Sequence, residues 1–435
     1  MFDSLPGFRE FLPDSCGVRN TIFNVLRSTA ERYNFLEYDA PLLEPLELYI
    51  EKSGPEIVSQ LFNFEDKGGR AVALRPEMTP TLARLVGARA NSMKRPIKWF
   101  SIVENFRYEK PQKGRTRSFY QYNADILGDA SPGADAELIL LLIASLKRFG
   151  LNETDFVVRL SDRQMWVAFL KSWDLSDTAV AEVLGIVDKM QRVERQVTLE
   201  KLGKCVSEPE ALLSDIEKLI QVRSIDALES FLAATDYKFS ERLEDLRILV
   251  QRLSAAGMDG FVQLDFGIVR GLAYYTGFVY EAFERSGESR ALAGGGRYDE
   301  LVKKMGGPDL PAAGFAMGDV TLRDCLEEKG LIGPSTPEPS VYMVVGGEAE
   351  MAACLKDVTR LREQGFRVEY PFKPAGFGKQ FKNAEKSGAK YAVVYGEDEI
   401  KSGALTVKVL ASGDSVTVPR DTLIRWLSDQ GVRDL

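Results

Sequence analysis

The stretch that most restricts the fold is KWFSIVENFRYEKPQKGRTRSFYQYNADILG, from Lys98 to Gly128. Two aromatic-rich apolar runs flank a polar segment, Lys110 to Arg117, that holds a proline, a glycine and four cations. That pattern predicts a β-hairpin with a long loop. Side chains alternate between faces along a strand, so Arg107 and Glu109 are expected to point the same way. On the returning strand Phe119, Gln121, Asn123 and Asp125 share a face, and Tyr120, Tyr122 and Ile126 take the other. A face bearing Arg, Glu, Gln, Asn and Asp cannot enter an apolar core without partners, because each group would be desolvated. It is therefore expected to look into a polar cavity. Arg115 and Arg117 on the loop suit phosphate, since a guanidinium presents a fork of donors.

Across 435 residues the chain contains no histidine. That excludes a Ser-His-Asp triad, an HExxH zinc site and any imidazole general base. Chemistry is left to carboxylates, cations, metal ions or the substrate itself. A net charge of −8 excludes bulk attraction to nucleic acid, so a polyanionic partner would have to meet local basic patches. Cys16, Cys205, Cys325 and Cys354 are dispersed, with no CxxC pair; free thiols and a cytoplasmic location are expected. The longest apolar run, Leu138 to Ala144, fits a buried helix and is too short to cross a membrane. No secretory leader is expected at the N-terminus.

Along the chain, helical spacing over 14–33 gives way to an extended run, LEYDAPLLEPLELY, punctuated by Pro41 and Pro45. Ala71 to Leu74 reads as a strand that feeds a helix, with Thr79 as N-cap and Pro80 as its first residue. Arg75, Glu77 and Thr79 thus fall at a strand-to-helix corner, where functional groups are often displayed. After the hairpin come a helix from Ser131-Pro132 to Gly150 and a strand at Phe156 to Leu160. Strand signals then stop between Lys171 and Ala256, which predicts a helical insertion. They resume at Phe261–Phe266 and Tyr274–Phe283, two strands joined through GIVRGLA. Gly294 to Gly296 would let a ligand approach the backbone closely, and Ala312 to Gly318 is a small-residue strand leading into a helix at Asp319 to Glu328. Residues 329–340 are rich in glycine and proline and predict a linker. Beyond them strands and helices alternate, as in a small α/β domain. The expected division is 1–170 with 257–328 as one α+β domain on an antiparallel sheet, 171–256 as the insertion, and 341–435 as the α/β domain.

There is no GxxxxGK[ST] loop and no GxGxxG between a strand and a helix, so neither a P-loop nor a dinucleotide fold is indicated. A nucleotide could instead be gripped on an antiparallel sheet by Arg107, Arg115 and Arg270, with Mg²⁺ sharing the charge.

GFREFLP, LRPEMTPTLARL, FRYEKPQKGRTRSFYQ, VRGLAYYTGFVYEAF, GGGRYDELV and GKQFKNAEKSGAKYAVVYGE, in this order, resemble the class II aminoacyl-tRNA synthetases, and among them the histidyl-tRNA synthetases. The resemblance covers nearly the whole chain and implies an anticodon-binding role for 341–435. It implies ATP-dependent activation of L-histidine and transfer to the 3′ end of tRNA(His), with ATP as substrate and Mg²⁺ as its companion. By that resemblance Arg107 holds the α-phosphate, Glu109 the adenine amino group, Phe119 the adenine ring and Arg115 the terminal phosphates. Arg270 supplies the second cation at the α-phosphate and carboxylate. Glu77 and Thr79 take the histidine ammonium, with Gln121 nearby in the histidine site, Asp125 and Tyr275 read the imidazole, and Tyr274 belongs to the same histidine-binding block. Pro41 belongs to a homodimer interface. Lys110, Lys113 and Arg117 are expected at the tRNA acceptor end, and Lys379 and Lys382, with Lys373, at the anticodon stem-loop. No dedicated protein metal site is implied.

Three departures from the family pattern stand out. Ala273 replaces an acid in the GLxYYTG block, and Asp125 stands where many members carry Glu. GDVT at Gly318 to Thr321 replaces a Gly-x-Glu-Arg whose arginine would meet the γ-phosphate; Arg323, two residues on, lies on another helix face. The alternative reading is a non-catalytic, histidine-sensing regulatory paralogue from histidine biosynthesis. Such relatives resemble the catalytic domain alone and usually lack the arginine at position 270.

Overall fold

The computed structural model describes residues 2–112, 114–190, 193–233, 240–269, 275–286, 291–333, 338–373 and 375–431. The chain divides into two compact units, Met1–Pro334 and Ser335–Leu435.

In the first unit α1 (Pro13–Arg32) precedes β1 (Leu36–Glu37) and β2 (Leu43–Pro45). The extended run expected to continue through Tyr49 ends at Pro45. Leu46–Ser53 is instead helix α2, with Tyr49 and Lys52 buried on its inner face. Next come β3 (Asn63–Glu65), β4 (Ala71–Leu74) and α3 (Thr79–Gly87). Met78 occupies the N-cap of α3, so Thr79 is its first residue rather than its cap. The hairpin consists of β5 (Ile97–Phe106) and β6 (Ser118–Leu127), and α4 (Pro132–Lys147) follows. Then come β7 (Phe156–Asp162) and α5 (Arg163–Lys171), which Asp162 caps by accepting from the Met165 N–H. Helices α6 (Asp177–Met190), α7 (Arg195–Leu202), α8 (Pro209–Ile220), α9 (Ile225–Ala233) and α10 (Ser240–Ala255) run in succession. The unit closes with β8 (Val262–Leu264), β9 (Phe278–Glu284), β10 (Ala293–Arg297), α11 (Leu301–Lys304), β11 (Ala312–Gly318) and α12 (Asp319–Glu328).

Eight strands form one sheet in the order β1-β5-β6-β11-β10-β9-β7-β8. Its six central strands are antiparallel, and the edge pairs β1–β5 and β7–β8 are parallel. The strands joined through GIVRGLA, β8 and β9, are not adjacent in the sheet: both pair with β7, from opposite sides. The reason lies in β7, whose Phe156, Val158 and Leu160 are fully buried and take the interior position. β9 also starts at Phe278, so Tyr275 precedes the strand.

One face of this sheet is apolar. Tyr122 and Ile126 enter the core there with α1 and α4, and Tyr120 sits edge-on to Phe11 and Phe23. Helix α4 is apolar on every side, with Leu138, Ile139, Leu141, Leu142 and Ile143 fully buried, as a helix packed between a sheet and other helices must be. Full burial of each such side chain is worth about 1.5–3 kcal/mol.

In the second unit β12 (Val341–Val345), α13 (Glu348–Glu363), β13 (Val368–Glu369), α14 (Phe377–Lys386), β14 (Tyr391–Tyr395), α15 (Glu397–Ser402), β15 (Ala404–Val409), β16 (Ser415–Pro419) and α16 (Leu423–Asp429) follow in order. The sheet runs β13-β12-β14-β15-β16. Strand alternation sends Val341, Met343 and Val345 into one core with α13 and α16. Tyr342 and Val344 pack instead against Ala384 of α14.

Candidate active site

The polar face of the hairpin opens into two adjoining cavities of about 380 and 720 Å³. Arg107, Glu109, Gln121, Gly294 and Ala316 line both. Asn123 and Asp125 line the smaller one and Phe119 the larger, so the period-two reading places these residues on the cavity side. Arg107 and Glu109 themselves lie beyond β5, in the loop, where the Arg107 N–H donates to Arg117 O.

The cavities exist because neighbouring strands withhold side chains. Gly314, Ala316 and Gly318 of β11 stand opposite Asp125, Asn123 and Gln121. Gly296 and Gly294 of β10 stand opposite Gly314 and Ala316. A Cβ at Gly314 would lie 1.9 Å from Asp125 Oδ1, and one at Gly296 would lie 2.9 Å from the Tyr275 ring. The triple glycine is thus a buried strand whose missing side chains leave room for functional ones.

Asp125 is buried and accepts a short hydrogen bond from the Tyr298 hydroxyl. Desolvation raises its pKa to about 7, and the Tyr298 bond opposes that rise. Tyr275 and Tyr298 line the same small cavity and are backed by an apolar cluster that includes Leu82, Val86, Leu127 and Leu310. Glu77, in the same lining, meets Lys52, whose Nζ lies 2.5 Å from Oε2. Burial disfavours the Glu77 carboxylate, but Lys52 and Arg107 outweigh it and leave the pKa below the ordinary value. Thr79 is also in the lining. The lining of the small cavity therefore includes both an ionised acid and an acid titrating near neutrality.

Arg107 lies between the cavities. Its Nε donates to Pro76 O at 3.1 Å, and its guanidinium lies 5.1 Å from the centroid of the Phe119 ring. In the larger cavity Arg115 pairs with Glu109 at 3.1 Å, and Glu281, Val320 and Thr321 complete the wall. Thr321 therefore faces the cavity without a charge. Arg323 is instead bound to Asp324 and Glu327.

Other expected residues are placed elsewhere. Arg75 turns into the protein, where it donates to Glu104 O and Ala40 O. Arg117 donates to Glu109 O and lies over the Tyr108 ring, which fastens the loop. Lys110 is exposed. Pro41 is exposed between β1 and β2, while Leu36, Leu42, Leu43 and Phe64 are exposed apolar residues of the same unit. Lys379 and Lys382 lie on the exposed side of α14, and Lys373 precedes that helix. Gln380 turns inward to bond both backbone groups of Val345. Lys113, Arg270, Ala273 and Tyr274 lie outside the described residues. Sequence reasoning missed Lys52, Tyr298 and Gly314; the Tyr following GGGR was the one local signal.

The family model described as histidyl-tRNA synthetase matches residues 7–321, and the one described as anticodon binding domain matches 340–430. A histidine–tRNA ligase of Opitutus terrae is 51% identical over 98% of both chains. One of Halobacterium salinarum is 38% identical over 96% of both. The crystal structure of histidyl-tRNA synthetase from Nostoc superposes with a TM-score of 0.83 at 25% identity, covering 99% of each chain. With its antiparallel sheet, its two adjoining cavities and these full-length similarities, the chain belongs to the histidyl-tRNA synthetase family.

Proposed function

We propose that the chain activates L-histidine with ATP and transfers the histidyl group to tRNA(His). In this reading the small cavity takes histidine and the larger one ATP. The observation that carries it is the common lining: Arg107 lies where the contents of the two cavities would meet. Histidine's ammonium would face Glu77, Thr79 and Gln121, and its imidazole would face Asp125, Tyr275 and Tyr298. Glu109 and Phe119 would take adenine, Arg115 the terminal phosphates, and Arg270 the carboxylate and α-phosphate. The carboxylate oxygen attacks the α-phosphorus and pyrophosphate leaves. The terminal ribose hydroxyl then attacks the acyl carbon and AMP leaves. The first step needs no protein base because the nucleophile is already ionised, so positioning and charge stabilisation carry it.

Mg²⁺ would enter with the triphosphate. Glu281 in the larger cavity offers an oxygen donor of the kind this ion takes alongside phosphates. When bound, the ion neutralises phosphate charge that Arg107 and Arg115 only partly offset. Among the described residues no group of three or more acidic, cysteine or histidine side chains could hold a metal by itself.

A homodimer, with the exposed Pro41 at the interface, is supported by the family resemblance. Lys110, Lys113 and Arg117 would lie toward the acceptor end of tRNA, and Lys379, Lys382 and Lys373 toward the anticodon. Four free thiols support a cytoplasmic location. The second unit and the match to an anticodon-binding model favour the ligase over a histidine-sensing regulatory paralogue. Histidine-dependent exchange of labelled pyrophosphate into ATP tests the reading. Exchange should occur, and Arg107→Ala should slow it by about 10²–10³-fold. Histidine binding without exchange would favour the paralogue.

A further inference from the structure

Helix α10 sends Arg242 to Gly277, two residues beyond the cavity-lining Tyr275. Its guanidinium reaches Asp162 through Nε at 2.9 Å and Nη2 at 2.5 Å, and Nη1 reaches Asp245 at 2.8 Å. It lies 4.2 Å from the centroid of the Phe278 ring. Gly277 provides the space, because a Cβ there would lie 3.0 Å from Arg242 Nη2 and 3.1 Å from Arg297 Cδ. The Arg242 guanidinium and the Arg297 aliphatic stem thus flank one glycine, and the surrounding acids hold both arginines.

This network adjoins both tyrosines of the small cavity. Tyr275 is followed by Thr276, whose N–H donates to Arg297 O and whose hydroxyl donates to Asp299. The carbonyls of Thr276 and Gly277 accept from Gln164 Nε2 and the Arg163 N–H at the start of α5. Tyr298 lies between Arg297 and Asp299, and Arg297 is buried on Asp135 and Asp299. Asp162 is fully buried, with one oxygen capping α5 and the other held by Arg242. Removing Arg242 would leave Asp162 without its counter-ion and open a gap against Gly277. Either change loosens the backbone that sets Tyr275.

We propose that Arg242 is a positioning residue for the amino-acid cavity, and that through it helix α10 is coupled to histidine binding. The proposal rests on the assignment of the small cavity to histidine. Whatever shifts α10 would change histidine affinity, and histidine would shift α10 to the same degree, since coupling between sites is reciprocal.

The experiment is pyrophosphate exchange by the full-length chain and its variants, with separate titrations of histidine and ATP. Arg242→Ala should raise the KM for histidine about tenfold and leave that for ATP unchanged. Arg242→Lys, which keeps the charge but not the fork, should recover most of the loss. An unchanged histidine KM in a folded Arg242→Ala variant, or an equal rise in both constants, overturns the coupling. If Arg242→Ala does not fold, Asp162→Asn decides: it retains a capping oxygen and loses the ion pair, so the proposal requires a selective rise in histidine KM. Asp125→Asn separates the two levels. If it alters histidine KM while the network variants do not, the coupling alone fails; if it has no effect, the cavity assignment and the coupling fail together.

Discussion

Gly314 stands opposite Asp125 across the β6–β11 pairing, so close that a Cβ would lie 1.9 Å from the carboxylate. The acid and the absent side chain form one device: the shorter arm of Asp125 can lie over β11 because nothing projects there. Gly314→Ala should therefore displace the carboxylate from the Tyr298 hydroxyl. Overpacking of this kind costs about 1–3 kcal/mol of folding stability, and the displaced carboxylate should raise the histidine KM. Titration of histidine in the exchange reaction measures it, and the ATP KM should remain unchanged.

Burial raises the Asp125 pKa to about 7. Above the ordinary carboxylate range the unfolded chain releases this proton before the folded one does, so keeping Asp125 in the fold costs stability. That cost is absent below the unfolded value, grows between it and pH 7, and is complete above pH 7. Asp125→Asn should consequently raise the Tm of the ligand-free protein at pH 8 and leave it nearly unchanged near pH 3.5, while weakening histidine binding. A matched series of thermal melts across that range shows the trend; an equal Tm difference at both pH values would contradict it.

The same reasoning has the opposite sign at Glu77. Lys52 and Arg107 hold its pKa down, so the stability contributed by the ion pair is present above the unfolded carboxylate value and is lost as pH falls through the folded one. Lys52→Met should destabilise the protein by about 3–5 kcal/mol at pH 7, with a smaller penalty in acid. Urea denaturation at pH 7 and pH 4 compares the two.

The α/β unit presents Lys379 and Lys382 to solvent while Gln380 anchors α14 beneath them. If these lysines meet RNA phosphates, Lys379→Glu with Lys382→Glu should raise the KM for tRNA in aminoacylation and leave pyrophosphate exchange intact. The effect should diminish as salt is added, because counterion release drives such contacts. No change in tRNA KM would remove these residues from the interface.

Much of the site was legible because it is periodic and local. Phe119, Gln121, Asn123 and Asp125 fall on one face by strand geometry alone, and Ala312 to Gly318 declared itself as a strand by its small residues. Contacts between distant parts of the chain were not legible. Nothing in the helix around Lys52 shows that its ammonium meets Glu77, or that Tyr298 reaches Asp125. The neighbours of β7 were not legible for a related reason: local pattern shows that a strand exists but not which strand lies beside it. Thr79 was displaced from its cap by a single residue, the scale on which helix starts are set by local backbone geometry.

The most direct measurement is diffraction from crystals of the full-length chain soaked with histidine and a non-hydrolysable ATP analogue. Histidine should occupy the small cavity with its imidazole on Asp125, and the α-phosphate should lie within hydrogen-bonding distance of Arg107 in the larger one. A triphosphate bound away from Arg107, or histidine outside the cavity lined by Glu77 and Asp125, would contradict the assignment of both cavities.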